Sequence, residues 1–227
     1  ATYAVVTTTV PAGTAITGEI TVQSAGQAYA PDVVGLTGGN VVVVWTDWDG
    51  LDGSSYGIYA QVFDATGTPV GNQFLVNENT DSVQDNPTVT ALANGGFAIA
   101  FDSTSSAYSG YTTIAVQHYD AMGNRIDGEQ RVSEGFQVYQ NQPDSATLAN
   151  GDTIIVWQDT SGRDGSGNGV FQRIVGDPAN YAAAANDPRI TLAQTAVTFA
   201  EADLNMAPRL LLPGVDVGDA DSANFDG

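Results

Sequence analysis

The chain has 227 residues, 42% of them hydrophobic, which is enough for one or two domains with buried cores. Its formal net charge of −20 opposes binding to nucleic-acid phosphates and insertion into anionic membranes, so neither partner is expected. The absence of cysteine excludes disulfides, thiolate metal sites and cysteine nucleophiles.

Residues 1–17 are predicted to be an N-terminal extension without a recognisable signal peptide. Because the chain starts at Ala1, we expect a processed product or a piece of a longer protein. No apolar run approaches the roughly 20 residues that a membrane span requires. Abundant glycine, valine, threonine, tyrosine and phenylalanine favour an all-β fold.

Residues 18–177 contain a tandem repeat with a period of 56 residues. A proline, a turn glycine and an aromatic residue recur at this spacing without gaps. They are Pro31, Pro87 and Pro143; Gly39, Gly95 and Gly151; and Trp45, Phe101 and Trp157. The repeat therefore predicts three copies of one structural unit.

Each repeat is predicted to form four short strands separated by hairpin turns such as Asn94-Gly95. The third strand of the first repeat, GIYAQVF, is apolar on both faces, which is typical of a sheet that lies between two other sheets. A propeller-like ring or part-ring is therefore expected, although three units are fewer than the usual four to eight. A β-trefoil, which also has three four-stranded repeats, is the alternative.

The third repeat has no fourth strand in its sequence after Asp177. The segment Gly18–Val22, GEITV, is similar to the fourth strands GNQFLV and GEQRV. We therefore expect residues 18–22 to complete the last repeat by ring closure. Because three units are fewer than usual, either two chains combine, further units lie outside this sequence, or the fold is a different threefold one.

The first repeat carries PDVVGLTGGNVVVVW, DGSSYGIYAQVFDATG and FLVN. This pattern resembles a repeat of giant acidic bacterial secreted proteins that also carry RTX calcium repeats and cadherin-like modules. The second repeat departs from the pattern because it lacks the Asp-Gly loop. The resemblance implies an adhesin-type protein, outside the cell or on its surface, with calcium as its cofactor.

Residues 178–227 are predicted to be a linker followed by a partial cadherin-like or immunoglobulin-like β segment. The sequence VTFAEADLNMAPRLLLPGVDVGDADSANFDG is similar to the opening of such a module. The resemblance implies that Asp216, Asp219 and Asp221 are calcium-linker residues. A complete module needs about 100 residues, so this one is cut, has a disordered remainder, or pairs its strand with another subunit's sheet edge; the first of these is preferred.

The acidic loop TDWDGLDG of the first repeat is the best candidate site. Asp47, Asp49 and Asp52 alternate with glycines, and calcium takes six to eight hard oxygens from such loops. A solvated turn, in which the aspartates bind their own backbone, explains the same residues. Asp159 and Asp164 provide a second candidate metal site in the third repeat.

Trp48 lies within this polar loop and is suited either to stacking on a sugar ring or to packing over the loop. His118 is the only histidine and has no recognisable catalytic partner in the sequence. No phosphate loop, dinucleotide fingerprint or HExxH motif is present.

These observations predict a non-enzymatic, extracellular structural or adhesive module that is calcium-stabilised and self-associating. A carbohydrate-binding lectin is the first alternative, and a polysaccharide-active enzyme or its accessory domain is the second. The expected partners are copies of the chain, neighbouring modules of the same protein, and surface glycans.

Overall fold

A computed structural model describes residues 18–23, 26–104, 110–134 and 138–178, and these residues form an all-β structure. The strands are β1 (Ala28–Gly35), β2 (Val41–Asp47), β3 (Gly57–Phe63), β4 (Pro69–Leu75), β5 (Val83–Ala91), β6 (Phe97–Thr104), β7 (Thr112–Tyr119), β8 (Gln130–Arg131), β9 (Gln140–Thr147), β10 (Thr153–Asp159) and β11 (Gly169–Val175). None of the described segments is a helix with the length and hydropathy needed to cross a bilayer. The extension 1–17 and the tail from residue 179 onward lie outside the described residues.

The strands form three antiparallel sheets, in the orders β1-β2-β3-β4, β5-β6-β7-β8 and β11-β10-β9. The prediction of an all-β fold is confirmed. Each sheet consists of consecutive strands from one repeat, which disagrees with the shared barrel of a β-trefoil. The prediction of three four-stranded units is too regular, because the third sheet has three strands among the described residues.

The predicted place of residues 18–22 needs correction. No strand pairing joins them to the third sheet. Ile20 and Val22 instead lie against Val41, Val43 and Phe63 on the outer face of the first sheet. The physical reason is that this face is apolar, so it binds the two aliphatic side chains without strand pairing.

Two hydrophobic cores hold the three sheets together. Val44 and Ile58 of the first sheet pack against Phe101 of the second, all three fully buried. The opposite face of the second sheet packs against Ile155 and Trp157 of the third. Burying each such side chain stabilises the fold by roughly 1.5–3 kcal/mol. The second sheet therefore lies between the other two.

The third strands reflect this order. Every residue of β3 is buried, as the doubly apolar sequence predicted. In β11, partly buried and exposed positions alternate, and Val170 is 81% exposed. Among the described residues no sheet packs on the outer face of β11, so the stack of sheets ends there.

The first strands β1, β5 and β9 pack side by side in the same repeat register. The backbone N–H of Val89 donates to Asp32 Oδ2 at 2.8 Å. Each strand contains a β-bulge, with a non-glycine residue at positive φ directly before its proline. These residues are Ala30 (φ 48°), Asn86 (φ 49°) and Gln142 (φ 53°). Because equivalent residues are neighbours, the three bulges lie at the same end of the sheets.

Candidate functional site

Two aspartates of the second repeat face each other beside the bulge of β5. Asp85 on β5 and Asp102 on β6 are direct partners in the strand register. Asn86 connects them, because its backbone N–H donates to Asp85 Oδ1 at 2.6 Å and its side-chain amide donates to Asp102 Oδ2 at 2.8 Å. We call Asp85 and Asp102 the acid pair.

The two members of the acid pair have different environments. Asp102 is only 5% exposed, and burial raises its pKa to about 8, although hydrogen bonds from Asn86 and from the backbone of Gln142 oppose the shift. Its Oδ1 is buried and has no hydrogen-bond partner among the described residues. Asp102 is therefore a carboxylic acid at neutral pH, with one oxygen available to carry the proton.

Asp85 is an acceptor for donors from two sheets. It accepts hydrogen bonds from Thr46 Oγ1 at 3.0 Å, from the backbone of Asn86 and from the Tyr29 hydroxyl. Because all three groups donate, the set fits a carboxylate. Asp85 thus supplies hydrogen-bond-accepting oxygens beside a neutral Asp102.

All three repeats contribute to this site, but only the second supplies acids. At the register position of Asp102, the first and third repeats have Thr46 and Gln158. At the position of Asp85, they have Tyr29 and Asn141. The fold therefore does not require carboxyl groups at these two positions.

An aromatic cluster of Tyr29, Trp48 and Tyr56 adjoins the acid pair. The ring of Trp48 is 5.7 Å from Tyr29 and 5.3 Å from Tyr56 between centroids, both edge-on. Trp48 is 53% exposed, so one side of its indole faces solvent. Burial, and then the negative charge of Asp85, raise the pKa of Tyr29. Tyr29 thus belongs to the cluster and also contacts the acid pair.

The aspartates that the sequence predicted as a metal site in the first repeat accept hydrogen bonds from nearby backbone groups. Asp47 is fully buried, and its Oδ2 accepts from the backbone N–H groups of Asp49 and Leu51, both at 3.2 Å. Asp49 Oδ2 accepts from the backbone of Gln27 at 2.5 Å. Asp52 Oδ1 accepts from Ser54 at 3.0 Å. These contacts are those of the turn that the sequence offered as the alternative to a metal site.

In the third repeat, Asp159 is fully buried and binds Gln140, Ser161 and Arg163. Asp164 accepts from the backbone of Ser166 at 3.1 Å. Across the part of the chain that the structure describes, no group of three or more histidine, aspartate or glutamate side chains is placed to hold a metal ion. Asp216, Asp219 and Asp221 lie outside the described residues, and calcium binding stays a prediction.

His118 is fully buried on β7, and its Nδ1 lies 2.8 Å from Asp127 Oδ2. The structure thus gives His118 a carboxylate partner that was not recognisable in the sequence.

No family model matches this chain, and no curated protein matches it. Solved structures with a similar fold include an endo-arabinase from Bacteroides thetaiotaomicron, with 14% identity and a TM-score of 0.48 over 72% of this chain and 61% of that one. An α-L-arabinofuranosidase from Lactobacillus brevis has 12% identity and a TM-score of 0.44, over 69% and 55%. A xylan β-1,4-xylosidase from Bacillus halodurans has 14% identity and a TM-score of 0.44, over 68% and 32%.

These neighbours correct two predictions made from the sequence. A non-enzymatic structural or adhesive module was expected, but the neighbours named above are an arabinase, an arabinofuranosidase and a xylosidase. The expectation that the chain is not an enzyme is contradicted by the same finding. This chain spans less than two thirds of each neighbour's length, and at these TM-scores the likeness assigns it no substrate.

Proposed function

We propose that the chain acts on carbohydrate, with the aromatic cluster binding a sugar and the acid pair providing acid–base chemistry. The observation that carries this proposal is the hydrogen bond from the Tyr29 hydroxyl to Asp85, which joins the two parts. An exposed sugar-binding platform and a neutral buried acid are thereby neighbours in one site.

Sugar binding follows from the geometry of Trp48. Its indole is held by edge-on contacts with Tyr29 and Tyr56, while the other side faces solvent. An aromatic face of this kind packs against the apolar C–H side of a sugar ring. Because the cluster fixes the indole in place, little side-chain entropy is lost when the sugar binds.

The acid pair offers a proton donor, Asp102, and a proton acceptor, Asp85, which are the two roles that glycoside hydrolysis requires. Asp102, protonated at neutral pH, donates its proton to the glycosidic oxygen as the carbon–oxygen bond breaks. Asp85 accepts a proton from the water that adds to the anomeric carbon. Both carboxyl groups then return to their starting states by proton exchange with water.

The proposal includes a propeller-like arrangement in which the first strands surround the site. The side-by-side packing of β1, β5 and β9, with their bulges at one end, supports it. A location outside the cell, with surface or extracellular glycans as partners, belongs to the same proposal, since polysaccharides are found there.

The test is sugar release from a panel of polysaccharides, measured as new reducing ends, for the wild type and for Asp102→Asn. Asparagine retains an acceptor for the Asn86 amide but carries no acidic proton. We expect the rate to fall by about 10²–10⁴-fold, the usual contribution of general acid catalysis. Asp64→Asn, in a partly exposed turn after β3, is the matched control and should keep the full rate.

Binding is measured separately by calorimetry with the best polysaccharide of that panel. Trp48→Ala should weaken binding, whereas Leu51→Ala, an equally exposed neighbour in the same loop, should not. The proposal fails if no glycan is bound or cleaved. It also fails if Asp102→Asn, shown to be folded by circular dichroism, cleaves at the wild-type rate.

A further inference from the structure

The acidic loops of the first and third repeats share one geometry. Asp47 is the register partner of Gly57, and Asp159 is the register partner of Gly169. A second carboxylate lies over each glycine: a Cβ on Gly57 would be 3.1 Å from Asp52 Oδ2, and one on Gly169 would be 2.6 Å from Asp164 Oδ2. Each loop therefore places two aspartates beside one glycine at the end of its sheet.

In the third-repeat loop, an arginine side chain supplies a positive charge. Arg163 lies 2.9 Å from Asp159 Oδ2, and its guanidinium stacks on Phe171 at 3.9 Å from the ring centroid. Gln140 and Ser161 donate to the same carboxylate at 2.9 and 2.8 Å. Burial alone would raise the pKa of Asp159, but these donors and the arginine hold it below its usual range. The buried charge is fully compensated.

The first-repeat loop lacks that compensation at the equivalent position. Leu51 stands where the third repeat has Arg163, and its side chain is 53% exposed. Asp47 Oδ1 and Asp52 Oδ2 are both buried without a hydrogen-bond partner among the described residues. Burial, and then the charges of Asp52 and Asp47, raise the pKa of Tyr59, so both carboxylates act on one ring.

Two buried carboxylate oxygens without donors are unfavourable unless a positive charge joins them. We infer that a calcium ion binds the first-repeat loop at Asp47 and Asp52, in the role that Arg163 has in the third repeat. Both free oxygens are hard donors, which calcium prefers. Backbone carbonyls and water commonly complete such sites, so two carboxylates suffice where three are absent.

The affinity follows from the small number of charged ligands. Sites of this kind bind calcium with dissociation constants on the order of 10⁻⁴–10⁻³ M. The net charge of −20 raises the local concentration of cations at the surface. Asp47 and Asp52 lie in the same loop as Trp48 but do not belong to the acid pair, so calcium binding is tested by melting temperature and not by sugar release.

The test exchanges the equivalent residues Leu51 and Arg163 between the two loops. Thermal unfolding is measured in about 10 mM calcium and in chelator. For the wild type, calcium at about ten times the dissociation constant should raise the melting temperature by about 3–6 °C. Leu51→Arg copies the third repeat, so it should raise the melting temperature in chelator and abolish the response to calcium. Leu51→Gln introduces a polar side chain without a charge, so it should keep the response to calcium.

The reciprocal variant Arg163→Leu removes the third loop's cation and should add a second calcium response. If Leu51→Arg does not fold, Arg163→Leu by itself tests the inference. The inference is overturned if the wild type does not respond to calcium, or if Leu51→Arg responds as the wild type does. An equal response to magnesium would overturn the assignment of calcium. A response that comes from Asp216, Asp219 or Asp221 would survive in Leu51→Arg and is thereby distinguished.

Discussion

The second and third repeats have the same backbone at the start of their first strands and different chemistry on it. Asn86 and Gln142 both precede a proline, with φ of 49° and 53°. Next to the bulge, the second repeat carries Asp85 and the third carries Asn141. The comparison teaches that the repeat specifies a frame, and that single positions on this frame are free to become functional.

The neighbouring repeats also serve the acids of the second. Thr46 of the first sheet donates to Asp85, and the backbone of Gln142 in the third sheet donates to Asp102. Because Asp102 is buried between the sheets, its raised pKa depends on the stack as a whole. The repeated frame thereby produces a single asymmetric site.

The largest effect is expected from a cavity in the core between the first and second sheets. Phe101 is fully buried between the first and second sheets. Phe101→Ala should lower the free energy of unfolding by about 3–5 kcal/mol, because it leaves a cavity in that core. Phe171→Ala, on the partly exposed β11, should cost clearly less. Urea unfolding measures both, and equal losses would mean that the two ends of the stack are packed alike.

Much of this frame could be predicted from the sequence. The residue types at Pro31, Gly39 and Trp45 recur every 56 residues, and this recurrence predicted the sheets. Each position meets a structural requirement of a bulge, a turn or a core. The position of residues 18–22 could not be predicted. The pattern GEITV fits any sheet edge, whereas Ile20 and Val22 pack on an apolar face that no linear pattern reveals.

The candidate site was harder to predict than the fold. Asp85 and Asp102 lie 17 residues apart among 26 acidic residues, and nothing local distinguishes them. One signal was available: in the repeat register, Asp102 replaces Thr46 and Gln158. The pKa of Asp102 could not be predicted from the sequence, because it depends on burial where three sheets meet. Trp48 was predicted either to stack on a sugar ring or to pack over the loop; in the structure it contacts Tyr29 and Tyr56 edge-on and is 53% exposed.

A smaller effect would sharpen the comparison at the bulges. Ala30→Gly should raise the free energy of unfolding by about 0.5–1 kcal/mol, since glycine adopts positive φ without strain. Asn86→Gly gains less relief, because asparagine tolerates positive φ better than alanine, and it loses the hydrogen bond to Asp102, so its net effect should be near zero or destabilising. Urea unfolding of the two variants side by side is the measurement. Equal gains would mean that the Asn86 side chain contributes nothing to the site.

The central claim is that the second repeat keeps Asp102 protonated at neutral pH. The folded protein holds this proton up to about pH 8, whereas an unfolded chain releases it near pH 4. Unfolding between these values therefore releases a proton, so rising pH favours the unfolded state. Asp102→Asn lacks this dependence, and every other titrating group is common to both proteins.

The decisive measurement is the free energy of unfolding of the wild type and of Asp102→Asn between about pH 5 and pH 9. The wild type should lose stability relative to the variant by about 1.4 kcal/mol per pH unit up to about pH 8, and the difference should be constant above that. A difference that stays constant from pH 5 onward would show that Asp102 ionises as an ordinary aspartate, and the acid pair would then have no acid to offer.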